Sequence, residues 1–334
     1  MACQREFPFI AGIPDFRLFD PPYVSRREET ARVNALLDRY REFDWEGLTR
    51  FYVRRILTDL APDQKDAHLE HRLTLRYRAR EREKLLQAQL QDLGYSLPAG
   101  CRILDLGCGS GEATVAFLSR TPHVTGVDIS LEELVLARKL CEEEGYYSGS
   151  FVAACAESLP LPTQSFDFVY SMDVVEHVRD QRAFLLEARK VLKDGGGFLF
   201  NSPNRYSLVA AEPHVNLWGV GFLPRNLADP YCRLRGKGPY SGKRLLSYRE
   251  LTAIVKEVFG SSHLFERRPN PKSQSLAGKL YHALAPFSVK AYTLIAAEHL
   301  VFTQVPGENS KKAAGRQQPA AGRMKDSKAH SAES

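Results

Sequence analysis

Between residues 99 and 201, short apolar runs alternate with stretches whose apolar residues recur every three or four positions. The runs at 102–106, 123–127, 149–153, 166–171 and 196–201 have the length and composition of buried strands. The stretches 111–119, 130–144 and 179–192 carry the helical period. Such alternation predicts an α/β fold, an open parallel sheet with helices on both faces. The pattern breaks at 205–246, where Pro213, Pro224, Pro230 and Pro239 and several glycines predict an irregular insertion. A helix at 247–258 and a strand at 262–267 resume the fold. An apolar helical stretch at 273–297 and a last strand at 299–305 follow.

The flanks read differently. Residues 1–98 are expected to form a helical N-terminal extension, with two shorter helices in 24–60 and a long one over 66–94 that stops at Gly94. The extension can cap a ligand pocket or make a dimer contact, and packing is its simplest role. The polar tail 306–334 is expected to be disordered, because it has too few large apolar residues to offset its conformational entropy. The core unit is thus 99–305, with the insertion 205–246 as a lid.

Composition narrows the class. No run of about 18 apolar residues is present, so no membrane-spanning helix is expected. The N-terminus lacks the basic start and apolar core of a signal peptide, so none is expected. The six cysteines include no CxxC pair, which argues against a zinc site or a disulfide framework and fits a reducing, cytoplasmic setting. The net charge of +6 is uneven. Residues 99–200 hold 9 Lys and Arg against 15 Asp and Glu, whereas 201–285 hold 13 against 5. A basic, aromatic second block suits an acceptor bearing phosphate, carboxylate or a lipid headgroup, although it is also what a solvated basic face looks like.

The chemistry starts at 102-RILDLGCGSGEAT-114. Gly107, Gly109 and Gly111 follow a buried strand and open a helix, so backbone can approach a ligand closely. Asp128 ends the next strand, across the crevice, where a carboxylate can accept both hydroxyls of a ribose. An adenosine ligand follows. A dinucleotide site would read GxGxxG and bind pyrophosphate. Here the spacing is GxGxG, and Asp105 sits just before it, repelling phosphate and favouring an ammonium group. The charge points to S-adenosyl-L-methionine.

The motifs RILDLGCGSG, VTGVDIS, ESLPLPTQSFDFVYSMDVVEHV and LKDGGGFLFNSPN, in this order, resemble the class I S-adenosylmethionine-dependent methyltransferases. The resemblance covers about 99–205 and continues loosely to 305. It implies a Rossmann-like seven-stranded sheet with an antiparallel last strand. It also implies that Asp105 and Gly107 meet the methionine part of the cofactor, that Asp128 holds the ribose and that Ile129 packs on the adenine. Ala156 and Glu157 then cover the adenine edge, and Met172 lies near the cofactor. Relatives often have Asp where this chain has Cys155, so that contact differs here.

For the acceptor, 171-SMDVVEHV-178 stands out. Asp173, Glu176 and His177 are spaced i, i+3, i+4 and share a face if this is a helical turn. They can bind a divalent cation, form an acid–base pair or anchor the turn, and we assign no metal from sequence. The ubiquinone-biosynthesis O-methyltransferase branch has a similar stretch, which implies that Glu176 and His177 sit near the acceptor. The insertion, with His214, Trp218, Phe222, Arg225, Tyr231, Arg233 and Arg235, does not follow that branch. His214 is a second base candidate. The expectation is an enzyme, an O-methyltransferase acting on a small, acidic or lipid-linked molecule. N- or C-methylation, a catalytically dead cofactor-binding scaffold and a dinucleotide oxidoreductase are the alternatives. Residues 276–300 can also rest on a membrane surface, although burial is the simpler reading. Nucleic acid is not expected as a partner, since no dense basic stripe is visible.

Overall fold

The computed structural model describes residues 6–58, 62–92, 94–238, 240, 242–260, 263–266, 279–280, 283 and 293–307. Most of the predicted helix 273–297 and of the tail, and with them most of the proposed membrane-facing stretch, lie outside the described residues. No described helix is long and apolar enough to cross a membrane.

The chain opens with a two-stranded hairpin, β1 (Phe9–Ile10) and β2 (Ile13–Pro14). Helices α1 (Arg26–Arg39), α2 (Trp45–Phe51) and α3 (Pro62–Asp92) follow, with a π-helical turn at Tyr52–Ile56. Ser25 and Asp44 cap α1 and α2 by accepting backbone N–H groups. The α/β unit then runs β3 (Ile103–Leu106), α4 (Glu112–Leu118), β4 (Val124–Asp128), α5 (Leu131–Glu143), β5 (Ser150–Ala153), β6 (Phe166–Ser171), α6 (Gln181–Val191) and β7 (Leu192–Pro203). After the insertion come α7 (Arg225–Leu234), α8 (Tyr248–Phe259), β8 (His263–Glu266) and β9 (Glu298–Gln304).

The main sheet has the order β5-β4-β3-β6-β7-β9-β8. The pairs among β5, β4, β3, β6 and β7 are all parallel. Strand β9 is antiparallel to both β7 and β8, so β8 runs with the others. The order reverses between β3 and β6, which places the crevice for a ligand at the carboxyl ends of the strands there. β7 starts earlier than the predicted 196–201, because a register irregularity opposite Phe166–Phe168 lets Leu192–Gly196 join the strand.

Each face of the sheet has its own core. On one, Ile103, Phe117, Leu134 and Phe168 pack in the same cluster as Val33, Leu36, Trp45 and Leu48. The N-terminal helices are therefore part of the core rather than an appended layer. On the other, Phe184, Phe198, Phe200, Leu251 and Val255 join β6, β7, α6 and α8. Two features of the flanks differ from the pattern-based reading. Residues 8–17 hold the β1–β2 hairpin, with its turn at Ala11 and Gly12, rather than a helix, and Asp15 bridges to Ala153 at the sheet's edge. The insertion is not wholly irregular either. It contains α7, which packs through Ala228 and Cys232 on Val215, Leu217 and Val220.

Candidate active site

Two loops leave the carboxyl ends of neighbouring strands and meet. The first is the glycine turn after β3. Gly107, Gly109 and Gly111 all have positive φ, at 78°, 49° and 88°. A Cβ on Gly111 would meet Ala137 Cβ at 2.8 Å, so α5 can pack only on a glycine there. Nothing lies within 4 Å of a Cβ built on Gly109, which leaves the middle of the turn open. Asp128 closes the turn from β4. Its carboxylate accepts the Gly109 N–H at 2.9 Å and the Ser130 N–H at 2.8 Å, one on each oxygen. Asp105 is buried, and Thr114 Oγ1 donates to it at 2.6 Å. Burial pushes the Asp105 carboxyl up to about 7 and the Asp128 carboxyl up to about 6. A cation entering the turn would be stabilised by both groups as they ionise.

Residues from the N-terminal extension brace this turn. Arg72 on α3 donates to Ser110 Oγ at 3.2 Å and forms a two-pronged pair with Glu133. Arg17 is buried, pairs with Asp15 and Glu29, and donates to the Ile129 carbonyl at 2.7 Å. Glu29 also accepts the Leu131 N–H at 2.9 Å. Ile129 thus sits in a held loop after β4, half-buried. On the same rim, Ala156 and Glu157 lie in a turn after β5. Glu157 accepts the Arg179 N–H at 2.6 Å, and the Arg179 guanidinium lies over the Phe19 ring at 3.6 Å. Met172 is half-buried against the core beside β6. Sequence reasoning gave no specific role to Arg17, Arg72 or Glu29, because the groups they hold around the site (Ile129, Ser110 and Leu131) lie 38 to 112 residues away.

The second loop is 172–178, after β6. It is not the helical turn that would have put Asp173, Glu176 and His177 on one face. Asp173 has φ of 58°, a left-handed conformation that breaks the helical spacing. Its carboxylate accepts from Asn201 Nδ2 at 2.7 Å, while its N–H donates to Asn201 Oδ1. Asp173 is thereby committed to β7. Glu176 and His177 instead meet His214, from the insertion.

The two Nε2 atoms of His177 and His214 are 3.1 Å apart, and each lies 3.9 Å from Glu176 Oε1. Glu212 Oε1 sits 2.5 Å from His214 Nδ1, and its Oε2 accepts the N–H groups of His214 and Val215. The imidazole of His214 is held from behind, with Nε2 turned to the cluster. The Glu176 side chain is 1% exposed, and neither carboxylate oxygen has a hydrogen-bond partner. Burial pushes its carboxyl up to about 7. His177 is pulled down to about 4 by burial and by the neighbouring His214 and Lys243. Glu212 was missed by the sequence reading, although its place two residues before His214 is a usable signal.

The remaining polar and aromatic members of the insertion do not converge. Arg225 pairs with Glu250 and Arg233 with Asp229, while Arg235 lies over Tyr231. Trp218 and Phe222 are about half exposed.

The methyltransferase domain family matches residues 104–200. Among curated proteins, the chain is 32% identical to a ubiquinone biosynthesis O-methyltransferase of Cereibacter sphaeroides, over 42% of this chain and 57% of that one. It is 39% identical to the protein of the same name from Bradyrhizobium sp., over 38% and 50%. The chain thus spans about half the length of the curated relatives it matches. Among solved structures, a S-adenosylmethionine dependent methyltransferase from Mesorhizobium loti has 21% identity and a TM-score of 0.44, covering 64% of this chain and 94% of that one. Residues 104–200, which hold the glycine turn and Asp128, are thus a methyltransferase domain, similar to those of S-adenosylmethionine-dependent methyltransferases.

Proposed function

We propose that this protein transfers a methyl group from S-adenosylmethionine to a hydroxyl oxygen of a small molecule, at the cluster of Glu176, His177 and His214. The residues around the glycine turn suit the cofactor. Asp128 keeps one lone pair on each oxygen for ribose hydroxyls, Asp105 supplies negative charge for the ammonium and sulfonium groups, and the backbone at Gly109 is open. When bound, S-adenosylmethionine supplies an electrophilic methyl carbon on a sulfonium.

The observation that carries the reading is the contact between the two loops. Val174, two residues before Glu176, packs directly on Gly107. A polar cluster able to take a proton therefore adjoins the cofactor turn. A hydroxyl acceptor needs that help, because its proton must leave as its oxygen bonds to the methyl carbon. The C–S bond breaks, and its electron pair stays on sulfur. The proton passes to the cluster, where Glu212 supports the positive charge on His214. The shared names of the curated relatives favour oxygen as the acceptor atom. Their specific substrate is not carried over, because the insertion that supplies His214 lies beyond the matched family region, residues 104–200.

The test is transfer of labelled methyl from S-adenosylmethionine into fractionated host extract, with His177→Ala as control. Label in a lipid or polar small-molecule fraction, lost in the variant, is the expected result. Label in protein or nucleic acid overturns the acceptor class. No label in any fraction despite tight S-adenosylhomocysteine binding favours a cofactor-binding scaffold.

A further inference from the structure

We infer that Glu176, His177 and His214 form a binding site for a divalent first-row transition metal, with Zn2+ the best fit, and that Glu212 orients His214 toward it. The sequence left Asp173, Glu176 and His177 as a cation site, an acid–base pair or an anchor of the turn, with His214 a separate base candidate. Three features of the structure favour the ion.

The first is spacing. Around a tetrahedral ion with bonds of about 2.0–2.1 Å, ligand atoms lie about 3.3 Å from one another. The two imidazole Nε2 atoms are 3.1 Å apart, and both are 3.9 Å from the same Glu176 oxygen. One ligand atom from each of the three side chains falls within 4.8 Å of the others. A movement of Glu176 by about half an ångström completes the geometry.

The second is the carboxylate itself. A buried group with two unpartnered oxygens is rare in a native fold and points to a missing water or ion. Glu176 turns one of those oxygens, Oε1, toward the two imidazole Nε2 atoms, which contact each other. An ion would satisfy all three residues together.

The third is the support behind His214. A carboxylate on the far ring nitrogen of a metal-binding histidine fixes its tautomer and raises its basicity. Glu212 on Nδ1 does this while also being anchored by two backbone N–H groups. Two histidines and one glutamate leave a fourth position open, as in catalytic zinc sites. The His177 side chain is 43% exposed, so ion and acceptor have a path in. The inference deepens the proposed function and changes one step of it: with both imidazoles on the ion, the ion would lower the proton affinity of the acceptor oxygen, and the proton would leave to solvent past the part-exposed His177. Binding of the ion does not itself depend on methyl transfer.

The experiment uses the full chain, stripped with a chelator and titrated with Co2+ without methyl donor. The expected result is ligand-field absorption that saturates at one ion per chain and is displaced by Zn2+. Glu176→Gln and His214→Gln should each weaken Zn2+ binding at least tenfold, and Glu212→Gln by about 10- to 100-fold. Circular dichroism establishes that each variant is folded, and His177→Gln replaces any that is not. Absence of ligand-field bands in cobalt excess overturns the proposal. So does a thiolate-to-cobalt charge-transfer band, which would place the ion on cysteines, or affinity unchanged in the folded variants. Cobalt binding without methyl transfer would sink the proposed function and leave the site standing. Methyl transfer by the stripped protein without cobalt binding would do the reverse.

Discussion

Val174 lies over Gly107 so closely that a single methyl group on that glycine would fall 2.1 Å from Val174 Cγ2. The contact joins the cofactor turn to the loop that carries Glu176 and His177. It also explains why the first position of the turn must be glycine for two reasons, the φ of 78° and the space. Gly107→Ala should therefore displace one loop from the other. Affinity for S-adenosylhomocysteine is expected to fall at least tenfold by calorimetry. Adding Val174→Ala should recover part of it, since the shorter side chain relieves the clash but not the backbone strain. No recovery would show that the strain alone decides.

Arg17 ties the N-terminal strand to the loop that follows β4. Its guanidinium is buried between Asp15 and Glu29 and holds the Ile129 carbonyl. Arg17→Ala leaves two buried carboxylates without their cation. The expected loss is about 3–5 kcal/mol of stability by denaturant unfolding. The folded fraction should also bind S-adenosylhomocysteine more weakly, because the Ile129 loop loses its brace. A variant with parental stability would mean that Asp15 and Glu29 protonate or find water at no cost.

Glu132 gives a stability dependence on pH that can be isolated. It is buried, Tyr52 donates to its Oε2 at 2.9 Å, and its Oε1 has no hydrogen-bond partner. Burial raises its carboxyl from 4.5 to about 7. The fold thus prefers the neutral acid. The cost of ionising it is absent below the unfolded value, grows as pH rises through that window and is complete above the folded value. The shift corresponds to about 3 kcal/mol at most. Glu132→Gln should be more stable than the parent near pH 8.5, and the gap should narrow toward pH 5 in thermal unfolding. A gap that widens on acidification would reverse the assignment.

The α/β alternation, the glycine turn and Asp128 were legible in the chain because they depend on local order. Strand and helix periods are set by neighbours in sequence, and a turn after a strand needs glycine wherever it occurs. The two ends of the cofactor crevice are successive strand ends, so their juxtaposition follows from the parallel topology. The acceptor cluster has no such local rule. Its apparent helical spacing at Asp173, Glu176 and His177 failed because Asp173 turned left-handed to bind Asn201 on β7. Its third member, His214, arrives from 37 residues further along, placed by Glu212 and the packing of α7. The brace formed by Arg17 and Arg72 is equally long-range. A sequence by itself determines which residues can carry charge and where the chain turns. Which of those charges share one desolvated space is decided by burial, and burial is a property of the folded whole.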